Sequence, residues 1–325
     1  MCVTCGCGGK GETTLSVESG EHVHADGTRH THARGFIFAP GHAQGHMHAH
    51  DHDHGHVHND VDTPGHEQMH AHDQVPAQVD LQGPEHSHHG QDLSVPGRDR
   101  RTVELEAQIL GKNQLIAERN RDWLAGRGVL ALNLLSSPGA GKTTLLERTL
   151  RDLKGQLRVA VIEGDQETSN DAERIRATGV RAVQINTGTG CHLEADMLER
   201  ALGVLEPERN SLLMIENVGN LVCPALFDLG ERAKVVIFSV TEGEDKPLKY
   251  PHMFSAATLV LVSKTDLLPH LRFDTRRAID NVLSVNPRLK VLEVSAYSGE
   301  GMSQWYDWLK AELALYVAIS WQRIP

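Results

Sequence analysis

The sequence predicts an α/β fold, a mostly parallel sheet flanked by helices, preceded by a long disordered tail. Three observations carry it. Composition shifts sharply near residue 98: apolar residues are sparse before it, and apolar runs alternate with charged amphipathic ones after it. Short continuous apolar runs such as VLALNLL (129–135) are of the buried parallel-strand kind. That run leads directly into SSPGAGKTTLLERTL, a strand, glycine loop and helix in the order that a phosphate-binding P-loop requires. The chain therefore divides into a cysteine motif (1–7), a histidine-rich tail (8–97) and a P-loop NTPase domain (98–325).

MCVTCGC opens the chain with C-x2-C-x-C spacing. Thiolates of Cys2, Cys5 and Cys7 lie close enough in sequence to chelate one ion, and Gly6, Gly8 and Gly9 let the backbone wrap around it. Square-planar N/S coordination suits Ni2+ or Cu2+, and a tetrahedral thiolate set suits Zn2+. A fourth donor comes from the terminal amine, a backbone nitrogen or a histidine. Eighteen of the 21 histidines then cluster between His22 and His89, most densely in GHAQGHMHAHDHDHGHVH. Imidazoles at nearly every second position make a flexible store for Ni, Zn, Cu or Co. With few aromatics and no periodicity, residues 8–97 cannot bury enough surface to offset chain entropy and are expected to be disordered.

In the domain, apolar residues at helical spacing between Val103 and Trp123 (Ile109, Leu110, Ile116, Trp123, Leu124) predict an amphipathic helix. After VLALNLL, Gly139 and Gly141 allow backbone N–H groups to converge on phosphate, with Ala140 between them and Thr144 opening the helix. Lys142 reaches the β- and γ-phosphates and the Thr143 hydroxyl ligates Mg2+. Ser136 stands where G-x4-G-K-S/T has its first glycine. RVAVIEGD (158–165), AVQIN (182–186), SLLMIENVG (211–219), KVVIFSVT (234–241), TLVLVSKTD (258–266) and 291–294 read as further strands. The 211–219 strand delivers Glu216 as a Walker-B acid for Mg2+, with Gly219 three residues on as a switch glycine. SKTD (263–266) resembles the guanine motif N-K-x-D with Ser for Asn. Lys264 packs along the base, Asp266 accepts from guanine's ring N–H and amine, and Ser295-Ala296 offers backbone N–H to its oxygen. GTP and GDP are the expected nucleotides.

Cys191-His192 (in NTGTGCHLEAD) and Cys223 (in ENVGNLVCP) stand in loops expected at the nucleotide edge of the sheet. Two thiolates and an imidazole suit Ni2+ or Zn2+. Glu216, Gly219 and Cys223 share one short loop, so contacts that reposition Gly219 should move a metal ligand. The formal charge of −11 and the lack of a basic stripe disfavour nucleic acid. No run of about eighteen apolar residues is present to span a membrane. The N-terminus lacks the apolar core of a secretory signal, and five cysteines, an odd number, favour thiolate chemistry over disulfides, so a cytoplasmic protein is expected.

The N-terminal cysteine motif, the histidine tract, SSPGAGKTTLLE, EGDQETSNDAERIRATG, GCHLEAD, IENVGNLVCPA and SKTD together resemble the HypB family of hydrogenase nickel-incorporation GTPases. The resemblance implies a SIMIBI-class GTPase that dimerises with nucleotide. It also implies delivery of nickel to the large-subunit precursor of NiFe-hydrogenase, with a HypA-type nickel metallochaperone as partner. By the same resemblance, Cys2, Cys5 and Cys7 match the tight nickel site, and Cys191, His192 and Cys223 match a Ni/Zn site at the dimer interface. Asp165, with Asp171 second, matches the acid near Mg2+ and the attacking water. Asn220 stands where Ras-like enzymes place a catalytic Gln, which implies slow hydrolysis. Two alternatives stand beside this reading: a urease-type nickel GTPase, whose relatives use Cys-Pro-His where this chain has Cys223-Pro224-Ala225, and a nickel store with a vestigial domain.

Overall fold

All seven apolar runs expected as strands enter one sheet, parallel to one another. The structure, a computed structural model, describes residues 14–16, 21–23, 29–31, 100–166 and 170–321. The three N-terminal cysteines and the dense histidine tract lie outside the described residues. In chain order the elements are β1 (Thr14–Ser16), β2 (Glu21–Val23), β3 (Arg29–Thr31), α1 (Arg100–Arg127), β4 (Leu130–Ser136), α2 (Lys142–Asp152), β5 (Val159–Asp165), α3 (Asn170–Arg176) and β6 (Arg181–Asn186). They continue with α4 (Ala195–Leu205), β7 (Leu212–Glu216), α5 (Cys223–Leu226), β8 (Ala233–Ser239), α6 (Lys246–Lys249), α7 (Pro251–Ala256) and β9 (Leu259–Ser263). A 3-10 turn (Thr265–His270), α8 (Thr275–Val285), β10 (Lys290–Val294) and α9 (Met302–Trp321) complete the order.

The sheet runs β1-β6-β5-β7-β4-β8-β9-β10. Strands β6 through β10 are parallel, and β1 is antiparallel on β6. β1, together with the β2–β3 pair, lies within the 8–97 span where no regular structure is expected. An edge strand presents unpaired backbone groups, and an extended segment can satisfy them without any hydrophobic pattern of its own. β1 does so against Gln184–Asn186.

Strand alternation sorts the core onto two faces. Leu130, Leu132 and Leu134 of β4, with Val161 and Met214, pack beneath α2 and α9. On the opposite face Ala131, Ile162, Leu213 and Ile215 meet Leu124 of α1 and Leu198, Ala201 and Leu202 of α4. Val236, Phe238, Val260 and Val262 pack there against α7 and α8.

Helix α1 forms as expected but buries a different stripe. Asn113, Ala117, Asn120 and Leu124 are the buried positions, at helical spacing, whereas Leu110 and Trp123 are exposed. The reason is polar satisfaction. Asn120 Nδ2 donates to the carbonyls of Ala195 (2.8 Å) and Leu229 (3.0 Å), and Asn113 Oδ1 accepts from Ala195 N–H (2.8 Å). Asn113 satisfies an open N–H at the start of α4 and Asn120 ties that turn to Leu229, which apolar side chains could not do.

Candidate nucleotide and metal site

A cavity of about 480 Å3 opens where β4, β5 and β7 end, floored by the loop between β4 and α2. Gly141, at φ 97°, is the N-cap of α2; a side chain there would be strained in this left-handed conformation. Lys142 is buried and its Nζ donates to Ser136 Oγ (3.0 Å), so the serine in place of the first motif glycine supplies the lysine with an acceptor. Burial pulls the Lys142 ammonium below its ordinary value, opposed chiefly by Glu216. Two contacts brace the loop. Ser263 Oγ donates to the Ala140 carbonyl (2.9 Å), and Ser137 Oγ donates to Glu242 (2.5 Å), which Lys246 also pairs (2.9 Å). Ser263 is the residue standing in place of Asn in N-K-x-D; its hydroxyl ties β9 to the phosphate loop. Glu242 escaped the motif reading.

Thr143 Oγ1 lies 2.7 Å from Glu216 Oε1 and 3.0 Å from Asp171 Oδ2. Three side chains separated by 28 and 73 positions in sequence thus meet at one point. The second oxygen of Glu216 is buried without a hydrogen-bond partner, and burial raises this carboxyl above its ordinary value. A hydroxyl with converging carboxylates, one oxygen unsatisfied, is a donor set that fits Mg2+. Asp165 lines the same cavity, but its Oδ1 accepts from Gln166 N–H (2.7 Å), so Asp171 rather than Asp165 is the acid touching Thr143. Asp171 also pairs with Arg174, whose other nitrogen reaches Thr144 Oγ1 (3.2 Å) and Glu147 (2.8 Å).

Glu163 is a carboxylate the motif reading missed. It faces Glu216 across the β5–β7 ladder and lines the cavity. Its signal was its position two residues before Asp165 on one strand, hence on the same face. Burial first, then the charges of Glu216, Asp165 and Asp171, push its pKa up to about 8.

On the base side, Lys264 Nζ donates to the Gly139 carbonyl (2.6 Å), its aliphatic stem passing Gly141. Ser295 Oγ donates to Asp266 Oδ1 (2.5 Å) and its N–H to the Glu300 carbonyl (2.9 Å), so Ser295 braces Asp266 and leaves Ala296 as the neighbouring backbone. Gly219 approaches Pro138 of the phosphate loop closely: a Cβ there would lie 3.1 Å from it.

Cys191, His192 and Cys223 come together, their potential ligand atoms all within 4.8 Å of one another. Both cysteines are thiols rather than half-cystines. The His192 ring packs at 4.0 Å on Phe227, and its Nε2 is buried without a hydrogen-bond partner. Burial pulls its pKa down to about 4, which keeps the imidazole neutral and able to ligate. Soft thiolates with a neutral imidazole suit a borderline metal. The loop carrying Cys191 is tied to the nucleotide segments. Thr187 N–H donates to the Asp165 carbonyl (2.8 Å), Gln166 Nε2 to the Gly190 carbonyl (3.2 Å), and Leu193 N–H to Asn217 Oδ1 (3.1 Å). Asn220 Nδ2 donates to the Cys191 carbonyl (3.2 Å), so this residue faces the sulfur cluster and does not line the cavity.

Residues 130–293 match the family model described as CobW/HypB/UreG, nucleotide-binding domain. Over 314 residues the chain is 49% identical to the hydrogenase maturation factor HypB of Escherichia coli K12, covering 96% of this chain and 99% of that one. It is 60% identical over 223 residues to the HypB of Rhizobium leguminosarum bv. viciae, covering 68% and 75% of the two chains. Among solved structures it is similar to HypB from Helicobacter pylori in complex with nickel, at TM-score 0.59 and 38% identity over 62% of this chain and 95% of that one.

Proposed function

The chain belongs to the HypB family of CobW/HypB/UreG nucleotide-binding proteins, and from that premise we propose that it is a GTP-hydrolysing nickel metallochaperone. Its task is GTP-dependent insertion of nickel into the large subunit of NiFe-hydrogenase during maturation. One observation carries the reading: the sulfur–imidazole cluster of Cys191, His192 and Cys223 is hydrogen-bonded to the loops that line the nucleotide cavity. Nickel is the cargo. MCVTCGC is a second, tighter nickel hook and the histidine tract a store; Zn2+ is a further occupant of the Cys191 cluster.

Gly139 through Thr144 wrap the phosphates, with Lys142 exchanging its Ser136 contact for phosphate oxygens. Thr143 and Glu216, with Asp171 at the same hydroxyl and Asp165 on the cavity wall, would hold Mg2+, which when bound supplies positive charge against the phosphates. Asp165 and Asp171 orient the attacking water. Asn220, at the Ras-like glutamine position, directs its amide to Cys191 and not to the attacking water, and turnover is accordingly slow. Lys264 and Asp266, with Ser295 bracing the latter and Ala296 beside it, select guanine. A nucleotide-dependent homodimer, a HypA-type chaperone and the hydrogenase precursor are the partners, in the cytoplasm. Among the described residues no helix is long and apolar enough to cross a membrane.

The test is nickel affinity at the Cys191 cluster. In the full chain carrying C2A, C5A and C7A, only Cys191 and Cys223 remain as thiols, so sulfur-to-nickel charge-transfer absorption reports that site while histidines stay silent. A difference of about tenfold between GDP and a non-hydrolysable GTP analogue corresponds to about 1.4 kcal/mol of coupling. Its disappearance in Cys223→Ala is the expected result. Hydrogenase maturation that survived Lys142→Ala would instead make storage the function.

A further inference from the structure

Asn220 lies where the chain passes from the phosphate site to the sulfur cluster, and its amide bridges the two segments that supply ligands. Nδ2 donates to the Cys191 carbonyl (3.2 Å), and Oδ1 accepts from Val222 N–H (3.0 Å), the residue before Cys223. We propose that Asn220 is a positioning residue that converts the nucleotide state into the geometry of the Cys191–His192–Cys223 cluster. The inference rests on the reading of that cluster as a nickel site sensitive to nucleotide.

The two sides of His192 are held differently. On one side Leu193 is fixed: its N–H donates to Asn217 Oδ1 (3.1 Å), and Asn217 is buried. Asn217 Nδ2 in turn donates to Asn133 Oδ1 (3.2 Å), and Asn133 Nδ2 donates to Glu231 Oε1 (3.2 Å). The Leu193 side chain fills the space beside Gly164, where an added Cβ would lie 2.8 Å from it. On the other side Cys191 is held by Asn220, which is half-buried and directly follows Gly219. Gly219 abuts Pro138 of the phosphate loop, where an added Cβ would lie 3.1 Å from the proline backbone. A displacement of Gly219 against that loop therefore drags Asn220, and with it the Cys191 carbonyl, while Leu193 stays in place. His192 sits between a fixed point and a moving one.

Asp165 and Gln166 also reach the loop carrying Cys191, at Thr187 and at Gly190, whereas Asn220 bonds the carbonyl of the ligand residue itself. The Glu216-to-Cys223 loop by itself moves only one thiolate; the amide of Asn220 couples the second.

Two substitutions test the idea in the full chain carrying C2A, C5A and C7A, with nickel buffered by a competing chelator and nucleotide loading verified in each sample. Asn220→Ala removes both hydrogen bonds. Asn220→Asp keeps the acceptor for Val222 N–H and has no donor for the Cys191 carbonyl. Both are expected to load nickel with thiolate charge-transfer absorption, and in both the roughly tenfold ratio between GDP and GTP-analogue affinities should fall below about twofold. A ratio that persists in either variant overturns the inference and leaves the nickel reading standing. Loss of nickel binding in both nucleotide states would also overturn it, since Asn220 would then be merely structural. Equal affinities in the parent chain would remove nucleotide-sensitive binding itself, and the inference with it.

Discussion

Single residues in the cavity carry a charge problem that the motifs do not reveal. Glu163, Asp165, Asp171 and Glu216 all line it, against Lys142, Arg174 and Lys264. Glu163 bears the clearest consequence, because burial and its acidic neighbours raise it from 4.5 to about 8. The folded state therefore retains a proton that the unfolded chain has released. Stability from this group is present below about pH 4.5 and is lost as pH rises toward 8. Glu163→Gln removes the ionisable group at nearly constant shape. In protein free of nucleotide and Mg2+, its melting temperature should exceed that of the parent by a margin that grows from pH 5 to pH 8.5. Thermal unfolding at the two pH values checks this, and a margin that does not change with pH refutes the assignment.

At the scale of elements, helix α9 holds the phosphate-loop helix in place. Its buried residues Met302, Trp305, Trp308, Leu309 and Leu313 recur at helical spacing and join the core beneath β4. Trp305 is fully buried, stacks on Trp308 at 5.5 Å, and its Nε1 donates to Thr149 Oγ1 of α2 (2.9 Å). Trp305→Ala should cost about 3–5 kcal/mol through the cavity it leaves. Trp305→Phe should cost less, on the order of 1–2 kcal/mol, because Thr149 retains its own bond to the Leu145 carbonyl. Denaturant midpoints of the two variants check both the order and the size. The motif reading names no element beyond Val294, since a helix with only packing duties leaves no chemical signature. α1 teaches the complementary lesson: its apolar residues indicated a helix, but tertiary demand for amides at Asn113 and Asn120 decided which face it buries.

Across the whole molecule, the parallel sheet brings the loops after β4, β5, β6 and β7 to one edge, where both clusters form. Only five cysteines occur, three in MCVTCGC and two in the cluster beside the nucleotide. Two kinetically and thermodynamically separate thiolate signals are therefore expected from the full chain. Replacing Cys2, Cys5 and Cys7 should leave a nickel–thiolate absorption that responds to nucleotide. Replacing Cys191 and Cys223 should leave one that does not. A nucleotide response surviving in the second protein would place the switch at the N-terminus instead.

The sequence by itself determined the parallel strands and the phosphate loop, and singled out Cys191, His192 and Cys223, which the fold brings together. Those signals are local: apolar runs, glycine spacing and scarce residue types are read within a dozen positions. Only the tertiary structure decided that Asp171 touches Thr143, that Glu163 faces Glu216, and that Asn220 points to Cys191 rather than toward the phosphates. Each of these depends on ladder register or on a loop's exit direction. Both are set by contacts between segments tens of residues apart, where no local pattern carries the information.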